Sequence, residues 1–480
     1  MGQFASRSRR TGATQRIYLD LRAQIVSGVY APGDKLPSSR ALAEELGVSR
    51  TTVSAAYDQL ISEGYIQVRQ GAKPVVSPNS PPFRSVWTQR EGNAAVRLSA
   101  YATRAISLPG TISAEQKPLD YDFRYGDVAP SDFPKLAWKR ALSASALAHR
   151  ERLGYDHPAG SKALRKALHG YVWRARGIRC DENQIVVVSG SQQALDLCGR
   201  VLINPGVRVV LEEPCYQMAR NVMLALGAQP VAVRCDRDGI DPSELPDPAD
   251  VACAIITPSH QFPLGGVLSA RRRQELMDWA ATGGVYLIED DYDGEYRYDV
   301  NPIPPLQLSQ PDRVIYVGTA SKILSPTLRI GYLVVPEPLV EAFVRCKQIT
   351  DRHSATFEQE ALAAMIESGA YETHVRRMRR VNAERRSTFL VEMQRVFGDS
   401  VEIVGTSAGL HVVVWFNGLS AADESRFAEQ ARTEGVGLYP IGPLYETRTD
   451  PRAGFIFGYA SMSLNDIRNG VTRCGELLSA

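Results

Sequence analysis

Apolar positions change period three times along the chain. Between Gln15 and Val26 the residues Ile17, Leu21, Ile25 and Val26 recur near helical spacing, and Gly28 with the turn Ala31-Pro32-Gly33-Asp34 stops the run. Ser38-Ser39 caps a second predicted helix over 40–46, which Gly47 ends. Ser49 caps a third, from Arg50 to about Glu63, closed by Gly64. Two short β-prone runs, 65–69 and 74–76, follow with Gly71 between them. Three helices and a small hairpin within residues 1–77 describe a winged helix-turn-helix.

Residues 78–118 read as a connector. It opens on the Pro/Ser-rich stretch SPNSPPF and is expected to be extended, with Val86, Trp87, Leu98 and Tyr101 available to dock on a neighbouring surface. From about Leu119 the period changes again. Apolar strand-like runs at 184–188, 207–211, 251–257, 285–288, 314–317 and 330–335 alternate with helical segments. That alternation predicts an α/β body with a mainly parallel sheet. After about residue 361 a long basic helix over 371–396 precedes strands at 409–415 and 455–459, the pattern of a smaller α+β subdomain. The expected body is 119–480, with its large part about 150–360 and its small part about 361–480.

Composition leaves this picture of a globular chain intact: 44% hydrophobic and 22% charged residues suffice for a buried core without staples. The seven cysteines are scattered, without CxxC pairs, so neither a disulfide framework nor a metal site is expected. No apolar run is long enough for a membrane helix, and the basic N-terminus lacks the apolar core of a secretory signal, so a cytoplasmic location is expected. The net charge of +2 is unevenly spread. Residues 1–77 are basic and the rest is slightly acidic, as befits a nucleic-acid reader on a neutral body. The runs Arg271-Arg272-Arg273 and Arg376, Arg377, Arg379, Arg380 are expected to be solvated helix faces.

The densest motif of the basic part is PGDKLPSSRALAEELGVSRTTVSAAYDQLISEGYI. Ser49-Arg50-Thr51-Thr52 opens the second helix of a helix-turn-helix. Its first turn is the part that enters a major groove and offers free N–H groups to phosphate. Arg50 can donate two hydrogen bonds to a guanine edge, and Thr52 can meet a phosphate or a thymine methyl. Lys35 and Arg40 are placed for backbone contacts, and Arg69 in the wing for phosphate or minor groove. The stretch resembles the GntR-type winged helix-turn-helix nearly throughout, which implies double-stranded operator DNA as a partner.

The body carries a second constellation. Pyridoxal 5'-phosphate (PLP) requires a lysine for its aldehyde, an acid at the pyridine nitrogen, anion donors for its phosphate and a group at its phenolic oxygen. Lys322 in GTASKILSPTLRIGY can supply the Schiff-base amine. Asp290, ending VYLIED, lies at the carboxyl edge of a strand, and Tyr292 can reach the phenolic oxygen. Ser191 and Gln192 open a helix after QIVVV, and Arg329, Thr319 and Ser321 are further phosphate donors. Tyr216 in EEPCY is an aromatic to lie beside the ring.

Together these residues resemble fold-type I aminotransferases over about 119–480. Where such enzymes carry an Asn-Pro-x-Gly motif, the chain reads TPSHQFPLGG. Phe262 therefore takes the Asn place, and His260 or Gln261 is left to substitute for it. TPSHQFP, EDDYDGEYRY and SKILSPTLRIGY are similar to the MocR/GabR regulators, which fuse these two modules. The resemblance implies a PLP-dependent transcription regulator that is not an enzyme beyond weak residual transamination. It implies a head-to-tail homodimer, with the segment around Tyr155 reaching the neighbouring site, and an amine or amino-acid effector. Some relatives bind the effector with two arginines. Met218 stands at one such place, with Arg220 out of register, and Arg452 is the candidate for the other. PLP itself, or a different amine, is then the expected signal. The alternative from another class is an active aminotransferase with an accessory DNA-binding head.

Overall fold

The computed structural model describes residues 12–68, 73–78, 96–110, 118–148, 154–298 and 303–479. They form two compact units divided between Arg97 and Leu98. Arg69 of the expected wing, and Val86 and Trp87 of the connector, lie outside the described residues.

In the first unit α1 (Ala13–Val26) buries Ile17, Tyr18, Leu21 and Ile25. Helix α2 (Ser39–Leu46) buries Leu42 and Ala43, and α3 (Arg50–Ser62) buries Val53, Ala56, Tyr57 and Leu60. These side chains share one core with Leu36, Ile66 and Val76. Strands β1 (Ile66–Gln67) and β2 (Val75–Val76) pair antiparallel as the base of the wing. The caps act as the sequence predicts. The Ser38 hydroxyl accepts from the Ala41 amide, and the Ser49 hydroxyl from the Thr52 amide. Gly47 closes α2 at φ +62°, a left-handed conformation that favours glycine and turns the chain directly into α3.

The second unit opens with α4 (Ala100–Ser107) and β3 (Tyr121–Asp122), then α5 (Lys135–Leu147) and α6 (Lys162–Arg176). The large sheet and its helices follow: β4 (Ile185–Val188), α7 (Ser191–Leu202), β5 (Arg208–Glu213), α8 (Gln217–Leu226), β6 (Gln229–Asp236), β7 (Gly239–Ile240), β8 (Val251–Ile256), α9 (Ala270–Gly283), β9 (Tyr286–Asp291), β10 (Val314–Thr319) and β11 (Gly331–Val334). The strand order is β4-β11-β10-β9-β8-β5-β6-β7. Strands β10, β9, β8, β5 and β6 run parallel, while β11 is antiparallel to both β10 and β4. Strands β4, β8, β10 and β11 are nearly continuous buried runs with few polar residues because helices cover both faces. Strand β6 escaped the sequence reading because it lies near the sheet edge, where partial exposure admits Gln229 and Arg234 and breaks the run.

The connector is not wholly extended. Helix α4 docks on α8, with the Arg104 guanidinium donating to the Ala225 carbonyl at 3.0 Å and the Asn221 amide to the Pro109 carbonyl at 3.1 Å.

The chain continues through α10 (Val340–Asp351), α11 (Thr356–Glu367) and the 28-residue α12 (Ala370–Phe397). The small part holds β12 (Val401–Val404), β13 (His411–Ser420), α13 (Glu424–Thr433), β14 (Val436–Gly437), β15 (Tyr439–Pro440), β16 (Arg452–Gly458) and α14 (Leu464–Ser479). Strands β12-β13-β16-β15 form an antiparallel sheet. Residues 121–122 pair with β14, so the start of the body belongs to the small part.

The basic runs are only partly solvated. Arg272 is buried and clamps Asp236 through both guanidinium nitrogens, at 2.6 and 2.9 Å. Arg273 donates to the Leu268 and Pro304 carbonyls, and Arg379 to the Glu295 carbonyl. These hydrogen bonds tie loops to the helices that bear the arginines.

Candidate functional site

In the reader unit Lys35, Arg40, Ser49, Arg50 and Thr51 are exposed, and Thr52 is half-buried. The Ser49 hydroxyl lies 2.7 Å from both the Thr51 and the Thr52 hydroxyls, and Arg50 Nε donates to the Ser39 hydroxyl at 3.4 Å. The first turn of α3 thus presents a cation and two hydroxyls at a helix N-terminus, a surface suited to an anionic backbone.

In the body, the carboxyl ends of the parallel strands meet a cavity of about 310 Å³, room for one small molecule. It is lined by Asp290 near the end of β9 and Tyr292 just after it, Lys322 after β10, Ser191 at the start of α7 and Tyr216 after β5. This is the carboxyl-edge position at which open α/β sheets bind ligands. Sheet register sets the lateral order: Asp290 pairs with Val317 of β10, and Thr319 with Gly331.

Lys322 Nζ donates to the Gly126 carbonyl at 2.8 Å. Its remaining surface opens on the cavity, and burial lowers its pKa against the opposing charges of Asp127, Asp293 and Asp290. Burial, with Asp291 and Asp293 adding repulsion, pushes the Asp290 carboxyl up to about 7. Asp290 Oδ1 is buried with no hydrogen-bond partner among the described residues. A buried acceptor of this kind costs free energy until a donor reaches it. A ring that carries a protonated nitrogen at one end and an aldehyde at the other would satisfy Asp290 and Lys322 together, so the donor set fits PLP.

The phosphate donors divide. Because β11 runs antiparallel, Arg329 arrives at the same sheet edge as Ser189. It donates to the Ser189 carbonyl at 2.7 Å and packs over Gly190. Gly190 sits at φ +81°, and any side chain there would run into that guanidinium. Ser189, Gln192 and Arg329 line a second cavity of about 600 Å³, walled by Tyr101, Leu108 and Pro109 around α4. Thr319 and Ser321 are buried within their own turn, the Ser321 amide donating to the Thr319 hydroxyl at 3.1 Å, and they line neither cavity.

Gln261 does not fill the Asn place. Its amide donates to Glu212, to the Pro214 carbonyl at 2.8 Å and to the Phe262 carbonyl at 2.7 Å, all away from the cavity. Phe262 forms the wall there, edge-on to Tyr216 and to Tyr292. His260 lies behind that wall, its Nδ1 2.9 Å from the Tyr292 hydroxyl. Neither effector-arginine candidate reaches the cavity: Arg220 pairs with Glu213 at 2.9 Å, and Arg452 with Glu402 and Asp450 at 2.7 and 2.9 Å. Tyr155 is 74% exposed under the Arg352 guanidinium, 3.7 Å from the ring centroid. The sequence reading missed Gly126, Asp127, Thr257, Asp293 and His411, which also line the cavity. Asp293 was within reach as the fourth acid of EDDYD, whereas His411 carries no local signal.

Comparison with known proteins matches residues 13–76 to the gntR family of bacterial regulatory proteins and 125–473 to aminotransferase class I and II. The chain is 33% identical to the probable rhizopine catabolism regulatory protein MocR of Rhizobium meliloti, covering 95% of this chain and 92% of that one. It is 30% identical to the HTH-type pyridoxine biosynthesis transcriptional regulator PdxR of Corynebacterium glutamicum, covering 93% and 92%. Among solved structures, α-aminoadipate aminotransferase LysN of Thermus thermophilus, complexed with N-(5'-phosphopyridoxyl)-L-leucine, matches at TM-score 0.70 and 27% identity over 80% of this chain and 97% of that one. The Pyrococcus horikoshii kynurenine aminotransferase, in complex with PMP, matches at 0.69 and 28% over 76% and 92%.

Proposed function

The chain belongs to the MocR-type HTH transcriptional regulators, a GntR-type reader fused to an aminotransferase class I and II body with PLP as cofactor, and from that premise we propose which residues read DNA and which hold the cofactor. Lys35, Arg40, Ser49, Arg50, Thr51, Thr52 and Arg69 contact operator DNA. Lys322 holds PLP covalently, Asp290 pairs with its ring nitrogen, Tyr292 faces its phenolic oxygen and Tyr216 lies beside the ring. Ser191, Gln192 and Arg329 receive its phosphate, with Thr319 and Ser321 shaping the turn behind them. Residues 1–77 act as reader, 78–118 as connector and 119–480 as body.

The observation that carries this reading is Asp290, whose Oδ1 is buried with no hydrogen-bond partner among the described residues, lining the same cavity as the desolvated Lys322. PLP, when bound, supplies an aldehyde that condenses reversibly with amines and a ring that withdraws electrons. Asp290 keeps a proton at the ring nitrogen, and its buried site makes that pair strong. Depressing the pKa of Lys322 raises the share of neutral amine able to attack a carbonyl. Arg329 anchors the phosphate beside the α7 N-terminus.

The body acts as a sensor rather than as a catalyst of amino-group transfer. Among the described residues no arginine lines the cavity, so a substrate carboxylate finds no bidentate partner there. The signal is PLP or an amine that exchanges onto it, and the second cavity offers a route outward. One of its walls is the segment bearing α4, and the other is the phosphate cradle. Exposed Tyr155 beneath Arg352 supports a head-to-tail homodimer in which this segment meets the partner's site.

The test uses full-length protein, with and without added PLP. Wild type is expected to gain a visible absorption band and to change its protection of upstream DNA. Lys322→Ala is expected to lose both responses while still binding DNA. A wild-type protein that stays colourless in excess PLP, or a Lys322→Ala variant that responds like wild type, would overturn the assignment.

A further inference from the structure

A third cavity, of about 580 Å³, shares no lining residue with the cofactor cavity, and the functions above do not use it. It is a cleft between the two parts of the body. The end of β6 and residues 264–267 wall it on the large part; β12, Trp415 of β13 and the segment from Tyr445 to Asp450 wall it on the small part. The walls meet backbone to backbone. A Cβ at Gly265 would fall 2.2 Å from the Gly405 Cα, and one at Gly266 2.2 Å from the Asp236 carbonyl oxygen, so both places admit only glycine.

Trp415 is the buried donor of this cleft. The residue is 5% exposed, and its Nε1 has no hydrogen-bond partner among the described residues. Its benzo edge packs on β16, where a Cβ at Gly454 would come within 2.6 Å of Cζ3. The guanidinium groups of Arg448 and Arg452 lie 5.4 and 5.5 Å from the ring centroid. The pyrrole edge is left to face the cleft that Trp415 lines, so Nε1 turns an unused hydrogen into it. A buried indole N–H is normally matched by an acceptor, and leaving it unmatched costs free energy. Around it stand the hydroxyls of Thr406, Ser407, Thr447 and Thr449 and the Arg237 guanidinium, all without side-chain partners among the described residues. Leu264, Val404 and Tyr445 supply the apolar surface between them.

Charge decides what fits. Four carboxylates, of Glu213, Asp236, Glu402 and Asp450, line the cleft against two guanidinium groups, of Arg234 and Arg237. An anion meets net repulsion there. A cation finds no free counter-ion, because each carboxylate is already claimed: Glu213 by Arg220 and by the Thr447 amide at 2.8 Å, Asp236 by Arg272, and both Glu402 and Asp450 by Arg452. Paired carboxylates still keep lone pairs to accept with, and the side chains of Asp236 and Glu402 are each 55% exposed. The ligand that suits such walls is uncharged, and each of its polar groups both donates and accepts. We propose that this cleft is a second ligand site of the body and takes a neutral polyhydroxylated ring, a monosaccharide or a cyclitol. Its oxygens accept from Trp415 Nε1 and Arg237, its hydroxyls donate to Asp236 and Glu402 and exchange hydrogen bonds with Thr406 and Thr449, and its C–H face lies on Leu264 and Tyr445. A ligand there bridges the two parts of the body and so favours one arrangement of them. The site stands independently of the cofactor reading.

The experiment is saturation-transfer NMR on the full-length, PLP-loaded protein with D-glucose, D-galactose, D-ribose and myo-inositol as probes and citrate as the anionic control. At least one polyol is expected to receive saturation, and citrate none. The dissociation constant of the strongest polyol is expected to rise about fivefold in Trp415→Phe, the worth of one hydrogen bond. Arg237→Ala and Thr449→Val change exposed residues and keep the test open should Trp415→Phe misfold; each is expected to weaken binding about three- to fivefold. The visible band of bound PLP is expected to stay in place in both. Saturation of none of the four polyols, citrate binding more tightly than they do, or wild-type affinity in all three variants would overturn the proposal. A band that moves in Arg237→Ala or Thr449→Val would overturn it too, because the two cavities would then not be separate sites.

Discussion

Replacing Asp290 by Asn should stabilise the empty protein and weaken its hold on PLP at once. The carboxyl is raised from 3.8 to about 7, with burial as the first cause. The folded chain therefore binds this proton more tightly than the unfolded chain does. Stability is lost as pH rises from about 4 toward 7 and stays constant above that. Three pKa units at about 1.4 kcal/mol each put the penalty near 4 kcal/mol at pH 8, an upper value because part of the residue's surface opens on the cavity. Asparagine keeps the shape and removes the charge. The cofactor-free variant should thus melt on the order of 5 °C higher than wild type at pH 8, and together with it near pH 4. In the presence of PLP the order should invert, because Asn cannot balance a protonated ring nitrogen. The assay is thermal denaturation of stripped protein at both pH values, followed by PLP titration. A cofactor-free variant no more stable than wild type at pH 8, or one binding PLP as tightly, would refute the account of Asp290.

Further outcomes follow from the same geometry. Arg50→Ala is expected to cost about 1–3 kcal/mol in operator binding and to relax base preference at one position, whereas Lys35→Ala should weaken all DNA alike and reduce the salt slope by about one; a filter-binding series across salt concentrations separates the two. Ser49→Ala removes the α3 cap seen at the Thr52 amide and should destabilise the reader unit by about 1 kcal/mol in urea unfolding followed by amide exchange. Gly409→Ala combines φ +83° with a collision against His260 and Asp293, and a loss of about 2–4 kcal/mol in the stability of the body is expected by denaturant titration.

How much was legible in the sequence depends on the range of each signal. Helix periods, the Ser38 and Ser49 caps, the Gly47 turn and the buried strands are local, set by neighbours within one turn or one strand, and the chain alone determined them. The same holds for Lys322 and Asp290: each ends or follows a parallel strand, and the carboxyl edge of such a sheet is where a ligand meets side chains. The tertiary structure decided which polar side chains are free. Gln261 is claimed by Glu212 and two carbonyls; Arg220 and Arg452 are claimed by carboxylates; and the Thr319 hydroxyl turns into its own loop. It also folded part of the connector into α4 and brought His411 from the small part against Tyr292. A motif fixes which groups lie near a strand end, but their partners come from segments far along the chain. Hydrogen bonding in a buried site is settled by whichever partner packs closest, and that distance exists only once the chain has folded.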